Sequence, residues 1–293
     1  MISLFNEHCL DTSAMKKSIN FKIDTYMNSY KKFTLEKKLT SEQIEFYNEN
    51  GFIHFENFIK PETVEQIIRA SKEVEKKWIE NNIEKVNGVP IKYGKDLNGE
   101  TIVQRFAFIS EHSPVISELV NDPRISVLLP LVGKGARVGE HEKDGVVFNH
   151  YIHSEHSKFT QMGWHTDGLR DIFYGGAVKP MINLGIHLST LNQEHGGLRL
   201  IPGSHTQGIF DMLFRKKYFL DTRPDPDEVA VIPKAGDLTI HDGRLWHRVA
   251  QSMLAGEVSR RRVIYVPLIN GQYEPKNENS PTKFYHRFAG LVK

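Results

Sequence analysis

Met181-Ile182-Asn183-Leu184-Gly185-Ile186-His187-Leu188 is the stretch whose reading decides the fold. Apolar residues recur at every second position. Ile182, Leu184, Ile186 and Leu188 therefore share one face of an extended strand, and Asn183, Gly185 and His187 share the other. Similar short runs flank it at 146–152, 197–201, 236–241 and 261–268, separated by turn residues. The texture upstream is different. Thr40 or Ser41 can cap a helix that runs through Gln43, Ile44 and Tyr47 and stops at Asn50-Gly51. Phe52 to Phe55 follow as a short strand. Lys60-Pro61-Glu62 opens a second helix with an apolar stripe of Val64, Ile67, Ile68, Val74 and Trp78, a stripe of the kind that packs a core. Ser113-Pro114 and Asp122-Pro123 start two more helices, with Pro130 kinking or ending the second and Gly133 stopping it. Helices first and short strands after predict a mainly β protein with α elements: a double-stranded β-helix, or jelly roll, under an N-terminal helical cap. Residues 1–38 are polar and lysine-rich and read as an arm. Residues 39–293 read as a single domain with its jelly-roll core over about 135–270.

Composition narrows the function. The 293 residues carry 38 Lys and Arg against 36 Asp and Glu, a net charge of +2. No basic cluster longer than Arg260-Arg261-Arg262 occurs, so nothing points to nucleic acid. Asn6, Glu7, His8 and Asp11 break up any signal-peptide core, and no stretch approaches the eighteen or so apolar residues of a membrane span. A single cysteine, Cys9, can form no internal disulfide. The expectation is a soluble, cytoplasmic protein without membrane or nucleic-acid partners. The sequence carries no signal for its oligomeric state.

The chemistry concentrates in Gly163-Trp164-His165-Thr166-Asp167-Gly168 and, about eighty residues later, in Leu245-Trp246-His247. Two residues apart on an extended strand, His165 and Asp167 point to one side. Two imidazoles and one carboxylate can take one face of an iron(II) ion and leave positions open for a co-substrate and dioxygen. His-x-Asp is a short pattern, and His153-Ser154-Glu155 is a decoy of the same kind, so context must carry the weight.

That context resembles the phytanoyl-CoA dioxygenase family of iron(II)/2-oxoglutarate oxygenases. The likeness covers roughly residues 39–268 and comes in ordered blocks. The first runs from Leu39 through Tyr47, Gly51-Phe52 and Glu56-Asn57-Phe58; the second is Trp164-His165-Thr166-Asp167. Then come Gly196-Gly197-Leu198-Arg199-Leu200-Ile201-Pro202-Gly203-Ser204-His205, Gly236-Asp237-Leu238 with His241 and Leu245-Trp246-His247, and finally Arg261-Arg262-Val263-Ile264. The resemblance implies that His165, Asp167 and His247 hold iron(II). It also implies that 2-oxoglutarate binds as co-substrate with O2, that oxidative decarboxylation yields succinate and CO2, and that a small-molecule substrate is oxidised. The presence of Asp167 argues for hydroxylation or another oxygen-driven outcome, because related halogenating enzymes lack this carboxylate and leave room for chloride.

An arginine after the second histidine suits the far carboxylate of 2-oxoglutarate as a charge-assisted pair. The interval from His247 to Arg261 is a few residues longer than the family pattern, which leaves Arg260, Arg261 and Arg262 all in view. Alternation puts Arg261 on one face and its neighbours on the other, and Arg261 opens the matching segment. Asn183, His187, Trp164 and Trp246 are candidate pocket residues. His241 reads as a packed neighbour of the metal, His205 as a turn residue or part of the mouth, and 206–233 as a lid or a surface insertion. Two other functions remain open at this point. A zinc hydrolase could use the same three ligands without Arg261. A non-catalytic jelly-roll binding protein would not need all three.

Overall fold

The computed structural model describes residues 30–157, 159–173, 176–283 and 286. Cys9 and most of the expected arm lie outside the described residues.

The alternation of 181–188 becomes the strand Met181–His187 at the centre of a nine-stranded sheet. It pairs antiparallel with Leu238–Asp242 on one side and with the long closing strand Gly256–Ile269 on the other. Val147–His153 lies beyond the closing strand, followed by Thr101–Phe106 and Lys92–Lys95. Phe52–Phe55 extends the opposite edge beside Leu238–Asp242, and Lys32–Phe33 pairs with it in parallel. Arg137–Val138 adds to the end of the closing strand. A second sheet of four strands, in the order Val229–Ala230, Gly197–Leu200, His247–Ala250 and Met162–His165, completes the jelly roll. The strands Lys92–Lys95 and Thr101–Phe106 were not foreseen, so the barrel draws on residues well before 135. Lys32-Phe33, placed in the arm by the sequence reading, also belongs to the sheet.

The helices form where their punctuation demands. Thr40 accepts from the Gln43 amide while the Gln43 side chain accepts from the Thr40 amide, a reciprocal cap that starts Ser41–Asn50. Gly51 ends it in the left-handed region at φ 74°, where a side chain would collide with His205. Pro61–Glu80 buries Val64, Ile67, Val74 and Trp78. The second of the two later helices stops at Ser126, earlier than expected, and Pro130 sits in a separate tight turn, Leu129–Leu131.

The two faces of the main sheet have different partners. Ile182, Leu184, Ile186, Ile264, Val266, Phe148 and Phe106 join the helices in one core, with Trp78 against Phe106 at 5.3 Å between ring centroids. Alternation turns Asn183, Gly185, His187, Arg261, Val263, Tyr265, Asn149 and Tyr151 the other way, into the space between the sheets. Among the described residues no helix is long and apolar enough to cross a membrane.

The reciprocal cap at Thr40 stands clear of the inner face. Thr40→Ala is expected to lower unfolding free energy by about 1 kcal/mol, read as a shift of the urea midpoint at unchanged slope.

Candidate metal centre

His165 and His247 are directly opposed partners in the pairing of Met162–His165 with His247–Ala250. Their ring centroids lie 4.1 Å apart. Each imidazole is fixed by its own strand. Nδ1 of His165 donates to the carbonyl of Gly163 at 2.8 Å, and Nδ1 of His247 donates to the carbonyl of Leu245 at 2.9 Å. A carbonyl can only accept, so each Nδ1 carries the hydrogen and each Nε2 offers a lone pair. The strand ends at His165, and Asp167 sits in the following turn, where the Gly168 amide donates to the Gly243 carbonyl at 2.7 Å. One ligand atom from each of His165, Asp167 and His247 lies within 4.8 Å of the others, and all three residues are buried. Donors of this kind and spacing can hold a divalent metal ion on one face.

Burial pushes the His165 imidazole down to about 4 and His187 to about 3, and it holds His247 well below the usual range. Burial alone would raise the Asp167 carboxyl. Contact with His241 and the nearby positive charge of Arg170 more than offset it and hold Asp167 well below the carboxylate range. Three neighbours orient Asp167. Asn183 donates to Oδ2 at 3.0 Å, His241 Nε2 lies 3.4 Å from the same oxygen, and Arg170 donates to Oδ1 at 3.4 Å.

The remaining sequence candidates divide clearly. Asn183 faces the cavity, but its amide is spent on Asp167. His187 is on the same face two steps along and is tied through Nε2 to Thr239. Trp164 and Trp246 are corrections. Each precedes a metal-facing histidine, so alternation sends its indole to the outer face of the small sheet. There they pack with Ile201 and Tyr218, and their N–H groups donate to the Arg223 carbonyl and to Gln207. His205 packs on Gly51 and bonds the Asn48 carbonyl, away from the metal ligands. His153 bonds the Leu254 carbonyl and stands outside the cluster.

Sequence reasoning missed Tyr218 and Phe219. The segment that holds them adds its backbone to the strand Met162–His165: Phe219 donates to the Trp164 carbonyl, and Trp164 to the Asp221 carbonyl, both at 2.8 Å. The Phe219 ring then stacks on His165 at 4.7 Å, and the Tyr218 hydroxyl donates to the Thr166 carbonyl at 2.5 Å. Gly163 permits this approach, because a Cβ there would lie 2.2 Å from the Phe219 carbonyl oxygen. The aromatic pair inside the expected lid was the available signal.

Arg261 is buried on the inner face. Its Nη1 and Nη2 donate to the carbonyls of Ala250 and Thr160, each at 3.0 Å, and its guanidinium lies 5.0 Å over the Tyr151 ring. Among the described residues, Nε has no hydrogen-bond partner and no carboxylate pairs with the guanidinium. Burial lowers its pKa to about 10. Arg260 instead pairs with Glu257. Arg262 shares the outward register of Ile264. The long interval before Arg261 contains a bulge: between Gly256 and Arg261 the closing strand advances five positions while its partner moves from His153 to Tyr151.

Both buried histidines charge more readily once unfolded, where their pKa returns to about 6.5. Their neutral burial therefore stabilises the metal-free fold fully above about pH 6.5, and that contribution is lost as pH falls toward 4. The melting temperature of metal-free protein is expected to fall steadily from pH 7 to 4.5. His187→Gln should flatten the slope, and a wild-type profile that is level across this range would contradict the burial argument.

Several solved structures share the fold. The non-heme alpha-ketoglutarate-dependent carbocyclase SnoK from nogalamycin biosynthesis is 20% identical, with a TM-score of 0.59 over 90% of this chain and 94% of its own. EctD from S. alaskensis is 14% identical, with a TM-score of 0.60 over 87% and 86%. HygX from Streptomyces hygroscopicus, solved with nickel and 2-oxoglutarate bound, is 16% identical, with a TM-score of 0.55 over 81% and 89%. No curated protein matches by sequence. Residues 47–252 match the phytanoyl-CoA dioxygenase (PhyH) pattern. With that span, its ordered motifs and its jelly roll, the chain belongs to the phytanoyl-CoA dioxygenase family of iron(II)/2-oxoglutarate oxygenases.

Proposed function

We propose that this protein is an iron(II)- and 2-oxoglutarate-dependent dioxygenase that hydroxylates a small soluble metabolite and releases succinate and CO2. The observation that carries the reading is a pair. Three hard or borderline donors converge on one face, and across from them the main sheet turns a buried guanidinium inward that, among the described residues, has no carboxylate partner. His165, Asp167 and His247 hold the iron; Arg261 holds the far carboxylate of 2-oxoglutarate. When bound, the iron and its co-substrate supply dioxygen activation coupled to oxidative decarboxylation. The protein supplies the rest. The carbonyls of Gly163 and Leu245 keep the imidazoles in the metal-binding tautomer. Asn183 and Arg170 hold the Asp167 carboxylate as an anion. Phe219 covers the His165 ring and excludes water from that side. A zinc hydrolase would leave the buried Arg261 charge without a purpose, and a binding protein would not require all three ligands.

One iron(II) per chain is expected, with the weak visible charge-transfer band of a chelated keto acid on anaerobic addition of 2-oxoglutarate. Asp167→Ala should abolish turnover, while His153→Ala keeps the metal. Full activity with zinc and no need for 2-oxoglutarate would support the hydrolase instead.

Arg261→Ala removes one partner of a buried charged pair, a loss of about 2–5 kcal/mol. Half-saturation by 2-oxoglutarate should rise on the order of 30-fold or more, at about 1.4 kcal/mol per tenfold, with iron content unchanged. Arg260→Ala and Arg262→Ala should change it little. A large loss in either neighbour and none in Arg261→Ala would move the anchor by one residue.

A further inference from the structure

Ile209–Phe214 is a six-residue helix with its apolar side turned outward. Ile209, Phe210, Leu213 and Phe214 are 46%, 75%, 42% and 76% exposed. Single exposed apolar side chains are ordinary on a protein surface, but no other stretch of the described chain exposes four large ones within six residues. At about 200 Å2 for a fully exposed side chain of this size, they offer on the order of 500 Å2 of apolar surface. A surface helix normally lays such a stripe on its own core. Six residues are also too few to hold a helix unaided, so this one depends on packing. Met212 is the only residue in it that its own chain buries.

The rim of the patch is charged. At about 100° per residue, Phe210 and Phe214 point away from Met212, and Asp211 and Arg215 lie together on one flank, one turn apart. Both are exposed, and neither makes an ion pair or a side-chain hydrogen bond with a described residue.

This surface complements itself. A second copy of the helix, laid against the first in the opposite direction, sets phenylalanine on phenylalanine. It also sets Asp211 opposite Arg215 of the partner subunit, twice over, since a two-fold axis repeats every contact. A copy running the same way would set like charge against like. Two such patches together remove about 1,000 Å2 of apolar surface, the lower bound of a specific interface, before any rim is counted. A lipid surface would gain from Arg215 but would also have to take up the unpaired carboxylate of Asp211.

We propose that Ile209–Phe214 is the interface of a homodimer, in which two copies of this helix pack antiparallel about a two-fold axis. The phenylalanines are at its centre and two Asp211–Arg215 pairs at its rim. The helix leads into Phe219, which stacks on His165, so association steadies the segment that covers this metal ligand.

Sedimentation velocity of the full-length protein over about 1–100 µM is the test, since an interface of this size gives a dissociation constant in the micromolar range. A reversible equilibrium of monomer and dimer is expected. Phe210→Ser combined with Phe214→Ser should weaken it about tenfold or more, the scale for loss of a central aromatic pair. At concentrations where wild type is monomeric, the melting temperature of this variant should match wild type, because both rings are exposed in the single chain. Asp211→Arg and Arg215→Asp should each weaken association severalfold, and the two together should return it to within about threefold of wild type, because the double reversal restores opposite pairing. A wild-type chain that stays monomeric throughout overturns the proposal, as does a dimer that survives the double serine change. A double charge reversal no better than either single change overturns the antiparallel packing. Vesicles of phosphatidylcholine with phosphatidylserine are co-sedimented in parallel. Wild-type binding to them that the serine variant loses, with no dimer in solution, gives the face to a lipid surface and also overturns the proposal.

Discussion

The antiparallel pairing of Met162–His165 with His247–Ala250 is the constraint on which the site depends. Its register sets His165 opposite His247 and leaves both Nε2 atoms toward one point. A slip of one residue would turn both histidines outward and bring Trp164 and Trp246 into the cavity, because the side-chain period of a strand is two. Neighbouring elements resist that slip. The two indoles are packed against Ile201 and Tyr218, and the backbone of 219–221 is bonded to the exposed side of the strand. The ligand geometry is therefore held by sheet register and by packing on the face the metal never sees.

The main sheet makes the complementary contribution. The apolar residues of its outer face join the helices in one core, and this frees its inner face to be polar. Asn183, Tyr151, Asn149 and Arg261 would be costly in a core without such support. On the inner wall each finds a partner in another polar side chain or a backbone carbonyl, which makes the wall a preorganised polar surface.

The fold was legible where one local rule governs. Alternation in 181–188, the cap at Thr40 and the glycine at 51 each name their own structure. His165 and His247 were legible because motif and strand face coincide, whereas Asp167 was legible from the motif alone, since it lies in the turn beyond the strand. Arg261 was separable from its neighbours by alternation alone. Applied equally to Trp164 and Trp246, the same rule puts them outside the cavity. What stayed hidden comes from segments with no period. Phe219 reaches His165 from an irregular loop, in a left-handed conformation at φ 60°. Strands 92–95 and 101–106 carry lysine, glutamine and arginine at positions where a β reading looks for apolar residues.

The metal ligands are tethered in two different ways. The imidazoles are anchored to backbone carbonyls two residues behind them, groups that no substitution removes. Asp167 is held by the side chains of Asn183, Arg170 and His241, and Arg170 is shared with Asp144. Evolution can therefore repaint most of the cavity without disturbing the histidines, while changes around Arg170 reach the iron through its carboxylate. Metal affinity is thus insulated from sequence drift on the histidine side of this site and exposed to it on the carboxylate side.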